Sequence, residues 1–518
     1  MAKSIVTLVL VCVCAVIIGV LWRVLYLVWL KPKMLEMQLR RQGIPGNKYQ
    51  LLTGDRNDEK AAFKEAWTKP MELTNRIAPR VIPYHDHMVK SYGKIWFKWN
   101  GTTPRVNIWD PDMMREILLN RSGHFIKPED NPLMKLLTMG LSTLEGQAWA
   151  QRRKLVNPAF HLDKLKEMVP AFRISCIGLA ERWEKLLSAE GSCELDIWPE
   201  FQNLTGDVIS RSAFGSSFEE GKQIFKLQKE QAVLVMEAAR SLYLPGFRFL
   251  PTAKNKRRMF IDKEIKRMLR DIIRKKLDSM EIRESANDDL LSLLLQSHNP
   301  NAASKDQNKN NGITIDDIIE ECKLFYFAGQ ETTSILLTWT LILLSIYPNW
   351  QQKAREEVLD TCGKNLPDFE SISHLKIVNM ILHEVLRLYP PAINLVRLVN
   401  GKTKLGDVTL PEGAEVLIPI LQVHHDPEIW GEDAEEFNPQ RFSDGVSKAS
   451  KGQNAFFPFG WGPRICVGQT FAMIEAKVAL AIILQRFSFE LSPSYAHAPF
   501  TVITLQPQYG AHLILHHL

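Results

Sequence analysis

From Ile5 to Trp22 the chain is almost wholly apolar, and after Arg23 it runs on as VLYLVWL to Leu30. No other feature restricts folding so tightly. A backbone in hydrocarbon must satisfy its own N–H and C=O groups, and a single segment does so only as a helix. A run of about 18 or more such residues spans a bilayer. A cleaved signal peptide is the competing reading, but its apolar core is usually shorter and ends in small residues. Here the run ends in bulky residues, followed by Lys31, Lys33, Arg40 and Arg41, with Lys3 and the amino terminus on the other side. The positive-inside bias then puts the chain after residue 31 in the cytoplasm. Under that topology the sequons at Asn100, Asn120 and Asn203 are accidental, and glycans on them would overturn it.

The rest reads as a globular protein. Of 518 residues, 45% are hydrophobic and 24% charged, ordinary for a sizeable core. A net charge of +6 without a concentrated basic tract interleaved with aromatics gives no sign of nucleic-acid binding. Seven cysteines, Cys12, Cys14, Cys176, Cys193, Cys322, Cys362 and Cys466, are scattered with no CxxC pair. That argues against a disulfide framework and against a zinc site.

Helical patterns dominate. Residues 254–277 set Ile261, Ile265, Met268, Leu269, Ile272 and Ile273 against a basic face. From Thr314 a long helix is expected to about Ser345, opened by a capping-box pattern of Thr314 and Asp317 and stopped by Pro348. Residues 402–420 alternate around Gly406 and a Pro-Glu-Gly turn and read as sheet. GIPGN (43–47) reads as a stiff hinge, and 298–312 as a solvated loop. The expectation is mainly α with a minor β region, without internal repeats.

Three constellations carry chemistry. The long helix holds FAGQETTS at 327–334, with glycine, glutamate and threonines in an apolar setting. A kink is the plain reading, since a Thr hydroxyl bonding back to a carbonyl bends a helix. The alternative is a groove where a small ligand meets a hydroxyl and a carboxylate. Ala328, Thr332 and Leu336 share one face, small Ala328 and Gly329 leave room for something flat, and Glu331 lies about 100° around, placed to relay protons from solvent. A second helix carries Glu384 and Arg387 three apart, an ion pair that the apolar surroundings suggest is partly buried, with Arg441 to complete it. These read as structural.

The third is FFPFGWGPRICVG at 456–468, poor in helix formers. A buried structural cysteine is the plain reading. Against it, Gly462 and Gly468 permit positive φ and close approach of a ligand, and Cys466 lies just before a clear helix. Backbone N–H groups and the helix dipole there favour a thiolate. A thiolate on haem iron favours O–O cleavage, and Arg464 would face a carboxylate of the same ligand.

The pattern F-x-x-G-x-R-x-C-x-G, met by Phe459, Gly462, Arg464, Cys466 and Gly468, resembles that of the cytochrome P-450 haem-thiolate monooxygenases. The family's A-G-x-[DE]-T is matched at Ala328–Thr332, its E-x-x-R at Glu384–Arg387 and its W-x-x-x-R at Trp149–Arg153, all in the family's order from about residue 60 onward. The run 322–340 and the tail from Leu491 resemble the plant secologanin synthase–like group, whose members oxidise iridoid monoterpenoids, gibberellins and triterpenoid sapogenins. Gln440 stands where the family's P-E-R-F motif has glutamate, and the usual proline-rich hinge is reduced to GIPGN.

The resemblance implies a single cytochrome P-450 fold, residues 61–518, behind a transmembrane anchor (1–30) and a linker (31–60). It implies haem b with Cys466 as axial ligand, and Trp149, Arg153, Arg397 and Arg464 as propionate partners. Ala328, Phe459 and Gly468 belong to the same haem site. Thr332 would hydrogen-bond iron-bound oxygen, and Glu331 would help deliver its protons. It implies O2 as oxidant, with NADPH electrons arriving through a separate reductase that a basic face of Arg152, Lys154 and Lys477 would dock. An apolar substrate is expected against 125–142, 244–252, 392–396 and 499–505, with Phe247, Phe249 and Leu250 dipping into membrane lipid. The implied setting is the endoplasmic reticulum membrane, single-pass, with the catalytic part facing the cytosol. A haem-thiolate isomerase or dehydratase, and a non-catalytic haem or sterol binder, are the alternatives. The intact Glu331–Thr332 pair speaks against the first, and the second would need neither Glu331 nor a reductase partner.

Overall fold

The apolar N-terminus forms helix α1, Ala2–Leu25, and the helical path continues through a short wider turn to Arg40. Ile5–Arg40 is a 36-residue helix long and apolar enough to cross a membrane, and none of its most apolar window is covered by protein. The computed structural model describes residues 2–128, 132–216, 218–239, 246–282, 289–298 and 313–518. The loop expected at 298–312 lies, beyond His298, outside the described residues. The chain divides into two compact units, one of residues 1–66, 82–128 and 395–419, the other of residues 67–81, 129–394 and 420–518.

The first unit is built on a sheet. Its strands are β1 (Trp96–Asn100), β2 (Thr103–Asn107), β3 (Phe125–Ile126), β4 (Leu395–Val399) and β7 (Glu415–Ile418), in the order β1-β2-β7-β4-β3. All pairings are antiparallel except β2 with β7. A hairpin of β5 (Thr403–Leu405) and β6 (Val408–Leu410) turns at Gly406, whose φ of 55° suits glycine best. The alternation at 402–420 thus forms sheet as its pattern predicts. The GIPGN stretch packs on β1: Phe97 N–H donates to Pro45 O at 2.9 Å. A Cβ on Gly46 would lie 2.3 Å from Phe97 O, so no side chain fits there.

The second unit is mostly helical. Its principal helices are α2 (Gly146–Val156), α3 (Leu162–Glu184), α4 (Ile197–Phe214), α5 (Phe218–Ala239), α6 (Ala253–Ile282), α7 (Ile315–Ile346), α8 (Lys376–Leu388) and α9 (Gln469–Arg486). Helix α7 runs 32 residues behind the Thr314–Asp317 capping box, both halves of which are made. Most of it is buried, which is how so apolar a helix is stable in water. It packs closely on α4 at Gly329, where a Cβ would lie 2.7 Å from Ile209 Cγ1. Helix α6 buries the expected Ile261, Ile265, Leu269 and Ile273. Its charged face is not only solvated, because Asp262 meets the buried Lys323 of α7 at 2.6 Å. A C-terminal hairpin of β8 (Pro499–Thr501) and β9 (Leu505–Pro507) is tied to α7 by Trp339 Nε1–H donating to Leu505 O at 2.8 Å.

Candidate functional site

The glycine-rich loop before α9 presents its cysteine through backbone geometry. Gly460 and Gly462 have φ of 74° and 72°, and Gly462 opens a one-turn helix to Arg464. Cys466 N–H then donates to Phe459 O at 2.9 Å, closing the loop on itself. Gly468 departs from the expectation. Its φ is −88°, so positive φ is not what it supplies. Its N–H is directed at the Cys466 sulfur instead.

Cys466 keeps an open surface, whereas Cys176 and Cys322 are sealed in the core. Protein still surrounds it at longer range, and that low-dielectric setting pushes its pKa up, against the pull of the Gly468 N–H and the Arg153 guanidinium. The position before α9 therefore does not by itself make a thiolate, contrary to the sequence expectation. A coordinated metal ion would reverse the balance, because a coordinating thiol loses its proton outright.

Arg153, on α2, donates from Nη1 to Ile465 O at 2.8 Å, one residue from the cysteine. Arg464 lies with its guanidinium 4.5 Å over the Trp149 ring, donates to Leu144 O at 2.9 Å and pairs with Glu145 at 2.6 Å. Trp149, Arg153 and Arg464 are thus gathered around the loop. Arg152 is a correction. Expected on a basic docking face, it is buried and pairs with Glu321 at 2.8 Å and Asp317 at 3.2 Å. Lys154 is exposed and Lys477 half-buried. Arg397 belongs to the first unit, on β4, where it is buried and donates to Val396 O at 2.9 Å.

In α7, Phe327 to Gln330 and Thr332 are partly open in an otherwise buried stretch. Thr332 Oγ1–H donates to Ala328 O at 2.8 Å, the back-bond expected of a mid-helix threonine. Gly329 serves the contact with α4, so this glycine does not supply the room for a flat ligand that the sequence suggests. Glu331 is only 8% exposed and does not reach solvent as its position on the helix suggests. Thr504 Oγ1–H donates to its Oε1 at 2.5 Å, and Gln506 Nε2–H donates to the same oxygen. Phe160 links helix and loop. It stacks on Phe325 of α7 at 5.6 Å, and a Cβ on Gly468 would sit 3.9 Å from it.

The loop is braced from α8. Glu384 and Arg387 are fully buried and joined by two hydrogen bonds of 2.7 and 2.8 Å. Arg387 also donates to His424 O, Ala434 O and Glu436 O, and Asn438 N–H donates to Glu384. Arg441 approaches Glu384 at 3.7 Å and is held mainly by Asp433 at 2.8 Å. His424 Nε2 accepts from Phe457 N–H at 2.9 Å, so the brace reaches the cysteine loop directly. Burial holds His424 well below the ordinary histidine pKa, consistent with an imidazole nitrogen acting as acceptor.

Sequence reasoning missed Gln506, Glu145 and His424, and it placed Thr504 only within the expected substrate segment 499–505. The two holders of Glu331 lie more than 170 residues from it, and nothing in a short polar-apolar hairpin marks that contact. The residues fit a flat iron-bearing group with carboxylate arms. The set offers an open sulfur, guanidiniums suited to carboxylates, and a partly open helix carrying an acid and a hydroxyl.

A family model for cytochrome P450 matches residues 80–511. Cytochrome P450 CYP72A219 of Panax ginseng is 55% identical over 508 residues, 98% of each chain. The 7-deoxyloganic acid hydroxylase of Catharanthus roseus is 50% identical, over 96% of each chain. Secologanin synthase 2 of Catharanthus roseus is 49% identical, over 96% of this chain and 95% of the relative. Among solved structures, a retinoic acid-bound cyanobacterial CYP120A1 superposes with a TM-score of 0.75 at 22% identity. It covers 92% of this chain and 99% of that one, a likeness of fold.

Proposed function

This chain belongs to the cytochrome P450 family, in its CYP72A group, and from that premise we propose that it oxidises an apolar plant terpenoid with electrons from NADPH delivered by a separate reductase. It is a monooxygenase, and its cofactor is haem. When bound, haem supplies activation of O2: one oxygen atom enters a substrate C–H bond and the other leaves as water, with two electrons and two protons consumed.

The observation that carries the reading is the open Cys466 sulfur at the end of a braced loop, beside Trp149, Arg153 and Arg464. Cys466 is the proposed iron ligand. Trp149, Arg153 and Arg464 are the proposed propionate partners, and Arg397 keeps the same role on the resemblance alone. Phe459 and Gly468 shape the sulfur's surroundings through a carbonyl and an N–H, and Ala328 leaves space on α7. Thr332 Oγ1–H, now returned to Ala328 O, is the group that would turn to hold a proton at the reacting oxygen, and Glu331 would resupply it.

The terpenoid class rests on relatives named for secologanin synthesis and for 7-deoxyloganic acid hydroxylation. It is consistent with an apolar cluster of Leu137, Ala232, Val235, Met134, Phe327 and Ile503. That cluster draws on two of the expected substrate segments, 125–142 and 499–505. Residues 129–131 of the first, and 244–245 of 244–252, lie outside the described residues. In this reading residues 1–30 anchor the chain, 31–60 link it, and 61–518 form the catalytic part. Phe249 and Leu250 are exposed, as are Met259 and Phe260 of α6, which supports contact with lipid. The charge bias after Leu30 supports a catalytic part on the cytosolic side, and the endoplasmic reticulum membrane is proposed on the family resemblance alone.

Microsomes containing the protein and its reductase, given NADPH and a panel of iridoid, gibberellin-type and triterpenoid compounds, should yield a product heavier by one oxygen. A product of unchanged mass, formed without NADPH, would point to isomerisation and sink the proposal. Oxidation of fatty acids but of no terpenoid would sink the substrate class.

A further inference from the structure

The grip on Glu331 comes from one short turn, and that turn also belongs to the apolar cluster. Residues 502–504 connect β8 to β9. Ile503 packs against the buried cluster of Leu137, Ala232 and Val235, as does Phe327 of α7. The next residue, Thr504, donates to Glu331 Oε1, and Gln506 on β9 donates to the same oxygen. Trp339, two helical turns further along α7, fixes the strand that follows through Leu505 O. One end of the hairpin is therefore clamped while its turn rests on apolar side chains. Phe327 and Ile503 are only partly buried, so their surfaces are open to a ligand lying against the cluster. Among the described residues, the Glu331 carboxyl group is held by a hydroxyl and an amide, with no cation at hydrogen-bond distance. Such neutral bonds can be exchanged for others at small cost, about 1 kcal/mol each.

We propose that Thr504 and Gln506 are positioning residues for Glu331, and that contact of substrate with Ile503 is what frees the acid to serve Thr332. The inference rests on the proton-delivery reading of Glu331 given above. With Glu331 held against the hairpin, its carboxyl oxygen is occupied. When the turn shifts, Glu331 gives its proton toward Thr332 and takes one back from water, so the proton count is unchanged over a cycle. The turn then ties oxygen activation to an occupied substrate site, and limits the loss of reducing equivalents as hydrogen peroxide when the site is empty.

The test uses the full-length haem-loaded protein with reductase and NADPH, first without substrate and then with the panel terpenoid turned over fastest by the parent. Thr504→Val, Gln506→Met and the double variant are compared with Thr504→Ser, which keeps the hydroxyl, and with Glu331→Gln. Substrate-free peroxide per NADPH should rise roughly fivefold in each of Thr504→Val and Gln506→Met and roughly thirtyfold in the double variant, the fold-changes of losing one and two hydrogen bonds of about 1 kcal/mol. Thr504→Ser should restore the parent value. A second readout needs no turnover: the infrared carboxyl band that Glu331→Gln removes should shift in Thr504→Val and return in Thr504→Ser. A merely structural role would lower haem content or melting temperature and leave that band in place. If Glu331→Gln changes peroxide yield and solvent isotope effect but the double variant changes neither, the positioning inference fails and the proton-delivery reading stands. If Glu331→Gln itself changes neither, both fail.

Discussion

In α8, Glu384 and Arg387 are fully buried, and the guanidinium is shared among a carboxylate and three carbonyls. In α7, Glu331 is nearly as buried, yet among the described residues one of its oxygens meets a threonine hydroxyl and a glutamine amide and no cation, and the helix around it is partly open. Both are acids inside apolar helices. The first is locked because an ion pair out of water is tolerable only when every donor is answered. The second is held by a hydroxyl and an amide from a hairpin turn, donors that another hydroxyl or a water can replace. Burial alone thus does not separate a brace from an acid proposed to deliver protons. The partners do.

The most severe way to break this contrast is Arg387→Met. Leaving Glu384 buried and unpaired should cost about 3–5 kcal/mol, with little haem-loaded protein recovered. Converting both, Glu384→Leu with Arg387→Met, should recover much of the loss in a denaturant titration. If the single variant keeps parental stability, the brace is not structural. Glu331→Gln should do the opposite. Its melting temperature should stay near the parent's, while product formation falls by about a hundredfold, the lower end of what positioned acid–base groups contribute. Equal loss of stability and rate would erase the distinction between the two acids.

Acid should act on the brace first. His424 and His425, both beside Arg387, are kept neutral by burial, His425 with its pKa pulled down to about 3 from 6.5. For a base with a depressed folded-state pKa, the unfolded chain binds more protons below 6.5. Stability is therefore full above that pH and falls as pH drops toward the folded value. Each histidine contributes a slope of about 1.4 kcal/mol per pH unit in that window. Asp55, Glu321 and Glu475, whose pKa values burial raises, work the other way above their ordinary values, but His85, His383 and His497 are lowered as well and add to the two beside Arg387. The denaturation midpoint should fall measurably between pH 6.5 and 5.5, and a flat profile would show that these histidines protonate in place. The smallest effect is expected at Glu145→Gln, which removes a partly exposed partner of Arg464. Less than about 1 kcal/mol should be lost, because Arg464 keeps Leu144 O and the Trp149 ring.

What could be read from the chain followed locality. The α7 cap, the Glu384–Arg387 pair and the hairpin at Gly406 depend on residues within a few positions, where helix and strand periods fix who meets whom. The four motif segments were legible as a pattern, and Trp149, Arg153 and Arg464 do gather around the Cys466 loop. Roles that depend on distant partners were not legible. Arg152 looks like its basic neighbours in sequence, and only the fold turns it inward to Glu321. Gly329 looks like room for a ligand but is room for Ile209. The hold of Thr504 and Gln506 on Glu331 crosses the unit and leaves no local mark.

The most direct measurement is the reduced, CO-bound difference spectrum of Cys466→Ser beside the parent, at matched haem content. The parent should give the Soret band of a thiolate-ligated haem, and Cys466→Ser should lose it, with Cys322→Ser unchanged as the sealed-thiol control. A Cys466→Ser protein that keeps the thiolate-type band would contradict the account at its centre.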